Sequence, residues 1–444
     1  MSDDQLATIA RKNIRLFIAF RVFFNARFYY PVFAVIYLDF GMTLEQFAIL
    51  NSVWAATIII AEVPSGALSD LIGRQKLLIT AGALMVAEMV LWAFAPAGNL
   101  TLLFWILALN RILSGLAEAA ASGSDEALAY DSLDQAGKKE EWPRVLQAVS
   151  RWQSIAFIVA LIVGGLIYDA KAMSTLLGWF GYQAELTPET TMRWPLYLNL
   201  LTAVGTLLVT AMMTEPGSHA SNEGKPTTVS AAFSQTWKVA RWIMATPFAF
   251  VVIAAAAALD SSIRMFITMN SEYHRIIGFP AVAFGFIGAV TALNNYFVAG
   301  WARRMTEQNS PEKNFAIIAT VVMTGFIGIS FFVPYAGVIF TWMLFAGIVM
   351  TGFCTSHYLN QEADQSIRAT VLSFKGLALN LGYGLLGLLY AGLVQQLRQQ
   401  PEFAGDPNGI FRGAAVWFPI WFGGMTLLVV VIRNQLNGRR TQPN

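Results

Sequence analysis

Ionisable side chains stand inside stretches of this sequence that are otherwise almost entirely hydrocarbon. Arg27 falls within Leu16–Leu38, Arg111 and Glu118 within 101–121, and Asp260 and Arg264 within 247–269. A charge in the middle of an apolar phase costs roughly 2.5–3.5 kcal/mol on insertion scales, so such residues face a partner or a wet cavity. The chemistry open to them is binding and proton carriage. Guanidinium groups grip planar oxyanions with two parallel hydrogen bonds, and buried carboxylates are the usual proton carriers. Glu118 follows Arg111 by nearly two helical turns and Asp260 precedes Arg264 by one, so each pair shares a helix face. Two readings stand side by side: ion pairs that pin helices together, or groups that bind a ligand and relay a proton. Arg21, Arg27, Arg111 and Arg264 outnumber Glu118 and Asp260, which points to an anionic small-molecule ligand. The candidate binding residues are Arg27, Arg111, Asp260, Arg264, Asn25 and Tyr30, with Glu118 and Asp260 as candidate proton carriers.

The remaining polar positions say less. Glu62, just before Pro64, can reach water or pair with Arg21. Glu88 is mid-span in what reads as a supporting helix, and His357 reads as a packing residue. Asn294, Asn295, Tyr296, Asn360 and Asn380 can orient a ligand or simply pack. Covalent chemistry finds no footing. The histidines are His219, His274 and His357, too far apart for an H-E-x-x-H zinc motif, and no G-x-S-x-G elbow occurs. Gly217–Lys225 has the wrong glycine spacing for a phosphate loop, and Pro226 stands where a hydroxyl residue is required. The single Cys354 excludes an internal disulfide framework or a cysteine zinc cluster. No enzyme activity, cofactor or metal is expected. Without an ATP site, any work must draw on an ion gradient or on the ligand's own gradient.

Composition says what must position these residues. The 444-residue chain is 56% hydrophobic and 13% charged, with a mean hydropathy of +0.53, about half the charge of a soluble domain. So much apolar surface requires lipid as solvent. Spanning-length runs are expected at 16–38, 46–67, 77–96, 101–121, 147–168, 194–213, 247–269, 281–301, 314–333, 336–358, 370–394 and 413–432. In lipid such runs must be helices, because only helices and closed barrels satisfy their backbone internally. The first run is read as a span and not as a removed leader, since the polar N-terminus lacks a cleavage site. With the N-terminus inside, nineteen Lys and Arg fall on the inner side and five on the outer. Both termini are therefore expected in the cytoplasm. A net charge of +2 with scattered basic residues gives no case for nucleic acid. The polar segment 215–240, with Pro216, Gly217, Gly224 and Pro226, reads as a linker between two halves, 1–214 and 241–444.

Gly66-Ala-Leu-Ser-Asp70-Leu-Ile-Gly73-Arg74-Gln-Lys76 resembles the G-x-L-x-D-x-x-G-R-x-K loop signature of the major facilitator superfamily. The second half carries a worn copy, Gly300-Trp-Ala-Arg303-Arg304, without the aspartate. Arg111 to Gly115 is similar to the R-x-x-x-G of the fourth helix in that superfamily. Ser122–Leu133 (SGSDEALAYDSL) resembles a prokaryotic subgroup that includes many multidrug-type exporters. The Gly- and Pro-rich fifth-helix signature of drug/proton antiporters is missing, with only Gly164-Gly165 in its place. The resemblance implies an all-α membrane protein with twelve transmembrane helices, arranged as two six-helix bundles around a central cavity. It also implies a monomeric secondary transporter of a small molecule, coupled to protons, in a bacterial inner membrane. Gly66, Asp70, Gly73, Arg74, Lys76 and Asp131 would form its gate, with Asp131 meeting the loop arginine and Asp125 as the other candidate. Export of a drug-like or metabolic compound and uptake of an organic anion both stay open, as does a receptor that binds without moving its ligand.

Overall fold

The structure is a computed structural model and describes residues 3–96, 98–183, 185–215, 229–364, 367–403 and 405–440. In chain order its α-helices are α1 (Asp3–Asn25), α2 (Phe33–Asp39), α3 (Leu44–Ile72), α4 (Arg74–Ala93), α5 (Leu100–Ala121), α6 (Ser124–Gln135) and α7 (Trp142–Tyr168). Next come α8 (Ala170–Trp179), α9 (Pro188–Thr191), α10 (Trp194–Met212), α11 (Val229–Ala245), α12 (Pro247–Thr268) and α13 (Asn270–Ile276). The last six are α14 (Ala281–Gln308), α15 (Pro311–Ile329), α16 (Val338–Glu362), α17 (Arg368–Arg398), α18 (Pro407–Ala415) and α19 (Trp417–Arg440). No strand occurs among the described residues.

Helix starts follow local chemistry. Asn99 and Asp169 cap α5 and α8 by accepting from the amides of Leu102 and Ala172, each at 3.0 Å. Proline opens α10, α12, α15 and α18, where its missing N–H costs nothing. Among the described residues eleven helices are long and apolar enough to cross a membrane. The shortest, Pro311–Ile329 with 19 residues, reaches about 28 Å at 1.5 Å per residue, close to the hydrocarbon thickness.

The expected first span departs from a continuous helix. It is split into α1, a short 3-10 turn at Tyr30–Val32, and α2. Pro31 cannot donate to the carbonyl of Arg27, so an α-helix cannot run unbroken through this segment, and the chain leaves the helix at 26–29 before the 3-10 turn. The chain forms two compact units. One contains residues to Val32, Thr57–Phe233 and Ala281–Ala289; the other contains Phe33–Ala56, Ser234–Pro280 and residues from Val290 onward. Half of the expected linker 215–240, residues 216–228, lies outside the described residues, and its remaining part from 229 is helical and belongs to α11.

In the first unit α4 packs on α5 and α10, and α1 packs on α6, α7 and α10. In the second, α12 is central, packing on α15, α16, α17 and α19. The second unit also carries α2, whose first amides, those of Ala34 and Val35, donate to the Ser271 hydroxyl at 3.0 and 3.2 Å.

Candidate functional site

The break after α1 places Arg27 on non-helical backbone, and the surroundings hold it there. The amide of Phe28 donates to Asn199 Oδ1 at 2.6 Å. Gly164 on α7 lies so close that an added Cβ would fall 1.8 Å from the Phe28 carbonyl oxygen. Only glycine permits that approach. The Gly164-Gly165 pair is thus explained by packing in the first unit.

Arg27 Nη1 meets Glu88 Oε1 of α4 at 3.0 Å, with side-chain exposures of 6% and 0%. The guanidinium also lies 5.1 Å from the centre of the Phe24 ring. Glu88 Oε2 is buried without a hydrogen-bond partner among the described residues. The network continues through α5. Asn110 Nδ2 donates to the Glu88 carbonyl at 2.7 Å, and Asn110 Oδ1 accepts from Arg111 Nε and Nη2, both at 3.0 Å. Arg111 lies over the Trp92 ring, which in turn meets Tyr29 edge-on at 4.7 Å between centroids.

The expected partnerships change accordingly. Glu88 is the partner of Arg27, on a helix that reads from sequence as merely supporting. Arg111 rests on Asn110 and Trp92, while Glu118, nearly two turns further on, is exposed. Arg21 pairs with Asp125 and Glu126 of α6, each at 2.6 Å, and not with Glu62. Asn25 bonds back to the carbonyl of Arg21 at 2.8 Å, and Tyr30 is 46% exposed.

The Gly66–Lys76 motif is mostly helical. Gly66–Ile72 completes α3, and the turn narrows to Gly73, whose φ of +95° is glycine territory. Gly66 has open space around it and makes no close helix approach. Arg74 pairs with Asp131 of α6 and donates to the Ala127 carbonyl at 3.0 Å. Lys76 is exposed. The Asp70 side chain lies outside the described residues. Sequence reading missed Glu215, whose carboxylate accepts from the amides of Arg74 and Gln75 at 3.1 and 2.6 Å. It thereby satisfies the exposed N–H groups that open α4 and faces the positive end of its dipole.

The second unit carries a separate cluster. Arg264 meets Asp260 at 2.5 Å within α12 and Asn380 Oδ1 of α17 at 2.8 Å, and it lies over the Tyr383 ring. Tyr383 shares a hydrogen bond with Thr268 at 3.2 Å. Lys375 of α17 donates to Ser356 Oγ at 3.0 Å and is within electrostatic reach of Asp260. His357 stacks edge-on against Tyr358, and Asn360 bonds back to Ser356.

Beyond the end of α12, Arg275 joins Asp39 and Glu272, each at 2.6 Å. Burial raises the Glu272 carboxyl against the pull of Arg275 and pushes the His274 imidazole down to about 3. Among the described residues no group of three or more His, Cys, Asp or Glu is placed to hold a metal.

Comparison with known proteins matches residues 15–387 to a family profile described as Major Facilitator Superfamily. No curated protein matches the chain. Many solved structures share its fold, three of them as follows. One is a single-residue variant of the nucleoside transporter NupG, with a TM-score of 0.73 and 11% identity over 96% of this chain and 99% of that one. Another is a bacterial homologue of the human lysosomal transporter Spinster, in an inward-facing and occupied conformation, with a TM-score of 0.67 and 13% identity over 98% and 97%. The third is a D-xylose–proton symporter, with a TM-score of 0.61 and 12% identity over 92% and 96%.

Proposed function

We propose, from the premise that this chain belongs to the Major Facilitator Superfamily, that it exports a small drug-like or metabolic compound in exchange for protons. The coarser statement stands on the family itself: the chain is a multi-pass membrane transporter and not an enzyme. Its two halves, 1–214 and 241–444, alternate the access of a substrate site from one side of the membrane to the other. It works as a monomer in a bacterial inner membrane with both termini in the cytoplasm.

One observation carries the coupling: the sealed Arg27–Glu88 pair beside the break between α1 and α2. Unpairing a buried charge is costly. Neutralising the carboxylate with a proton therefore changes what Arg27 must bind, and a proton and a substrate are linked through it. Glu88 Oε2 is buried without a hydrogen-bond partner among the described residues. Glu118 and Asp260 are further carriers. Arg27, Arg111, Asp260, Arg264, Asn25 and Tyr30 contact substrate. Gly66, Asp70, Gly73, Arg74, Lys76 and Asp131 form the gate. Neutralising Asp70 should cripple transport while leaving membrane insertion intact, and unchanged transport in that variant would remove Asp70 from the gate. The likeness of Ser122–Leu133 to exporters supports the direction.

Uptake of an organic anion is a second reading. Arg264 and Lys375 set two cations against the single carboxylate Asp260. Flux into and out of proteoliposomes under an imposed pH gradient tests both, with neutral, cationic and anionic candidates. Gradient-driven export supports the first reading, and accumulation of anions alone supports the second. Binding without flux would make the protein a receptor.

A further inference from the structure

Within the second unit, α12, α15 and α19 enclose a cavity of about 560 Å³. Most of its wall is hydrocarbon and aromatic, including Phe248, Val252, Phe315 and Val430. Two lining residues are charged, Glu312 and Arg433. Both sit at the same end: Glu312 is in the first turn of α15, and Arg433 is in the last third of α19, level with the start of α12 at Pro247. The cavity wall then follows α12 from Pro247 to Leu259, a depth of about 18 Å at 1.5 Å per residue. One end is polar and the rest is a deep apolar slot, which is the shape of an amphiphile.

The polar end is not satisfied internally. Arg433 Nε is buried without a hydrogen-bond partner among the described residues. Among the described residues Arg433 Nη2 donates to the neighbouring Asn434 Oδ1, at 3.4 Å. A guanidinium has five donors in a fork suited to phosphate. Glu312 is exposed and adds an acceptor of opposite charge at the same mouth. The basic-residue asymmetry puts these helix ends in the cytoplasmic leaflet, where pockets between spans with basic residues take lipid head groups.

We propose that this cavity is a binding site for one phospholipid bearing both a phosphate and a primary ammonium. The phosphate sits on Arg433, the ammonium donates to Glu312, and one acyl chain fills the slot between α12 and α15. A purely anionic head group would meet the Glu312 carboxylate. A quaternary ammonium would have no N–H to give it.

The full chain, purified in detergent and stripped of lipid, is incubated with vesicles of phosphatidylcholine containing one-fifth phosphatidylethanolamine or one-fifth phosphatidylglycerol. Lipid retained per protein is counted by native mass spectrometry. The parent should retain one phosphatidylethanolamine with about tenfold preference over either competitor, equivalent to one good charge-assisted contact. Arg433→Gln should lose that retention. Glu312→Gln should turn the preference toward phosphatidylglycerol. Ala319→Trp, which fills the slot, should abolish retention while its thermal transition in lipid-free detergent stays that of the parent. Equal retention of all three lipids, a parent preference for phosphatidylglycerol, or retention undiminished in Arg433→Gln would overturn the assignment.

Discussion

The two units handle charge inside apolar helices in opposite ways. In the first, Arg27 and Glu88 come from different elements and are sealed together, with side-chain exposures of 6% and 0%. In the second, Asp260 and Arg264 are one turn apart on α12, and Arg264 keeps 26% of its side chain exposed. The first pair joins the non-helical segment after α1 to α4. The second is a local pair on one helix, its Asp260 side chain 8% exposed, and it is tied to α17 by Asn380. A pair sealed on both sides resists unpairing and ties a conformation to its charge state. A pair with one partner partly open keeps its guanidinium within reach of a ligand. In the proposed function both pairs touch substrate, and they differ in how much unpairing costs.

The strongest test of that difference removes Glu88. Glu88→Ala leaves Arg27 as an uncompensated buried charge, and losing one partner of a buried pair costs about 3–5 kcal/mol. Denaturant or thermal unfolding in detergent should show a loss of that size. The double variant Arg27→Gln/Glu88→Gln should recover most of it, because no charge is then stranded. If Glu88→Ala melts like the parent, the pair is wet and the contrast between the units disappears.

The second unit has its own sealed titratable group, placed beyond the end of α12 and not at mid-helix. His274 packs against the rings of Tyr273 and Phe279, and burial pushes it down to about 3 from an ordinary value of 6.5. Between those values the unfolded chain binds the extra proton. Stability should therefore fall as pH drops below about 6.5, by at most about 1.4 kcal/mol per pH unit. Glu272, raised by burial, contributes the opposite slope: its share is present at low pH and is lost as pH rises through its folded value. His274→Leu isolates the two, since it should flatten the acid side of the melting-temperature profile. A profile unchanged by that substitution would mean that His274 binds its proton equally in the folded and the unfolded chain.

A smaller effect is expected where the first unit meets water. Arg74 and Asp131 are partly exposed, and pairs of that kind contribute at most about 1 kcal/mol. Asp131→Asn should barely move the melting temperature yet slow flux several-fold if the pair gates access. Unaltered flux would reduce it to a surface contact.

How much of this was legible in the sequence follows from the range of each signal. The spans from α3 onward were readable because a bilayer forces hydrophobic length, and α3, α4, α5, α7 and α10 begin and end close to the hydropathy runs. The break after α1 was also written there, in Pro31, but it is lost when a hydrophobic run is taken whole. The Asp260–Arg264 pair was readable from its four-residue spacing. The Arg27–Glu88 pair was not: 61 residues separate the two, and only tertiary packing brings the segment after α1 to α4. The same is true of Arg21 with Asp125, and of Glu215, which meets the α4 amides across 141 residues. Helical spacing reports which residues share a face, not which faces meet.

The milder substitution at a buried carboxylate is also the more informative about the ligand. Asp260 is buried while Arg264 is partly exposed, so this pair is less sealed than Arg27–Glu88. Asp260→Asn should therefore cost less in unfolding than Glu88→Ala, since Arg264 retains Asn380 and the Tyr383 ring. Its effect belongs in the flux. With the carboxylate gone, Arg264 and Lys375 stand uncompensated, so anionic candidates should bind more tightly while gradient-driven exchange loses its dependence on pH. If Asp260→Asn instead destabilises the protein as strongly as Glu88→Ala, the α12 pair is structural, and the contrast between the two units fails at its second half.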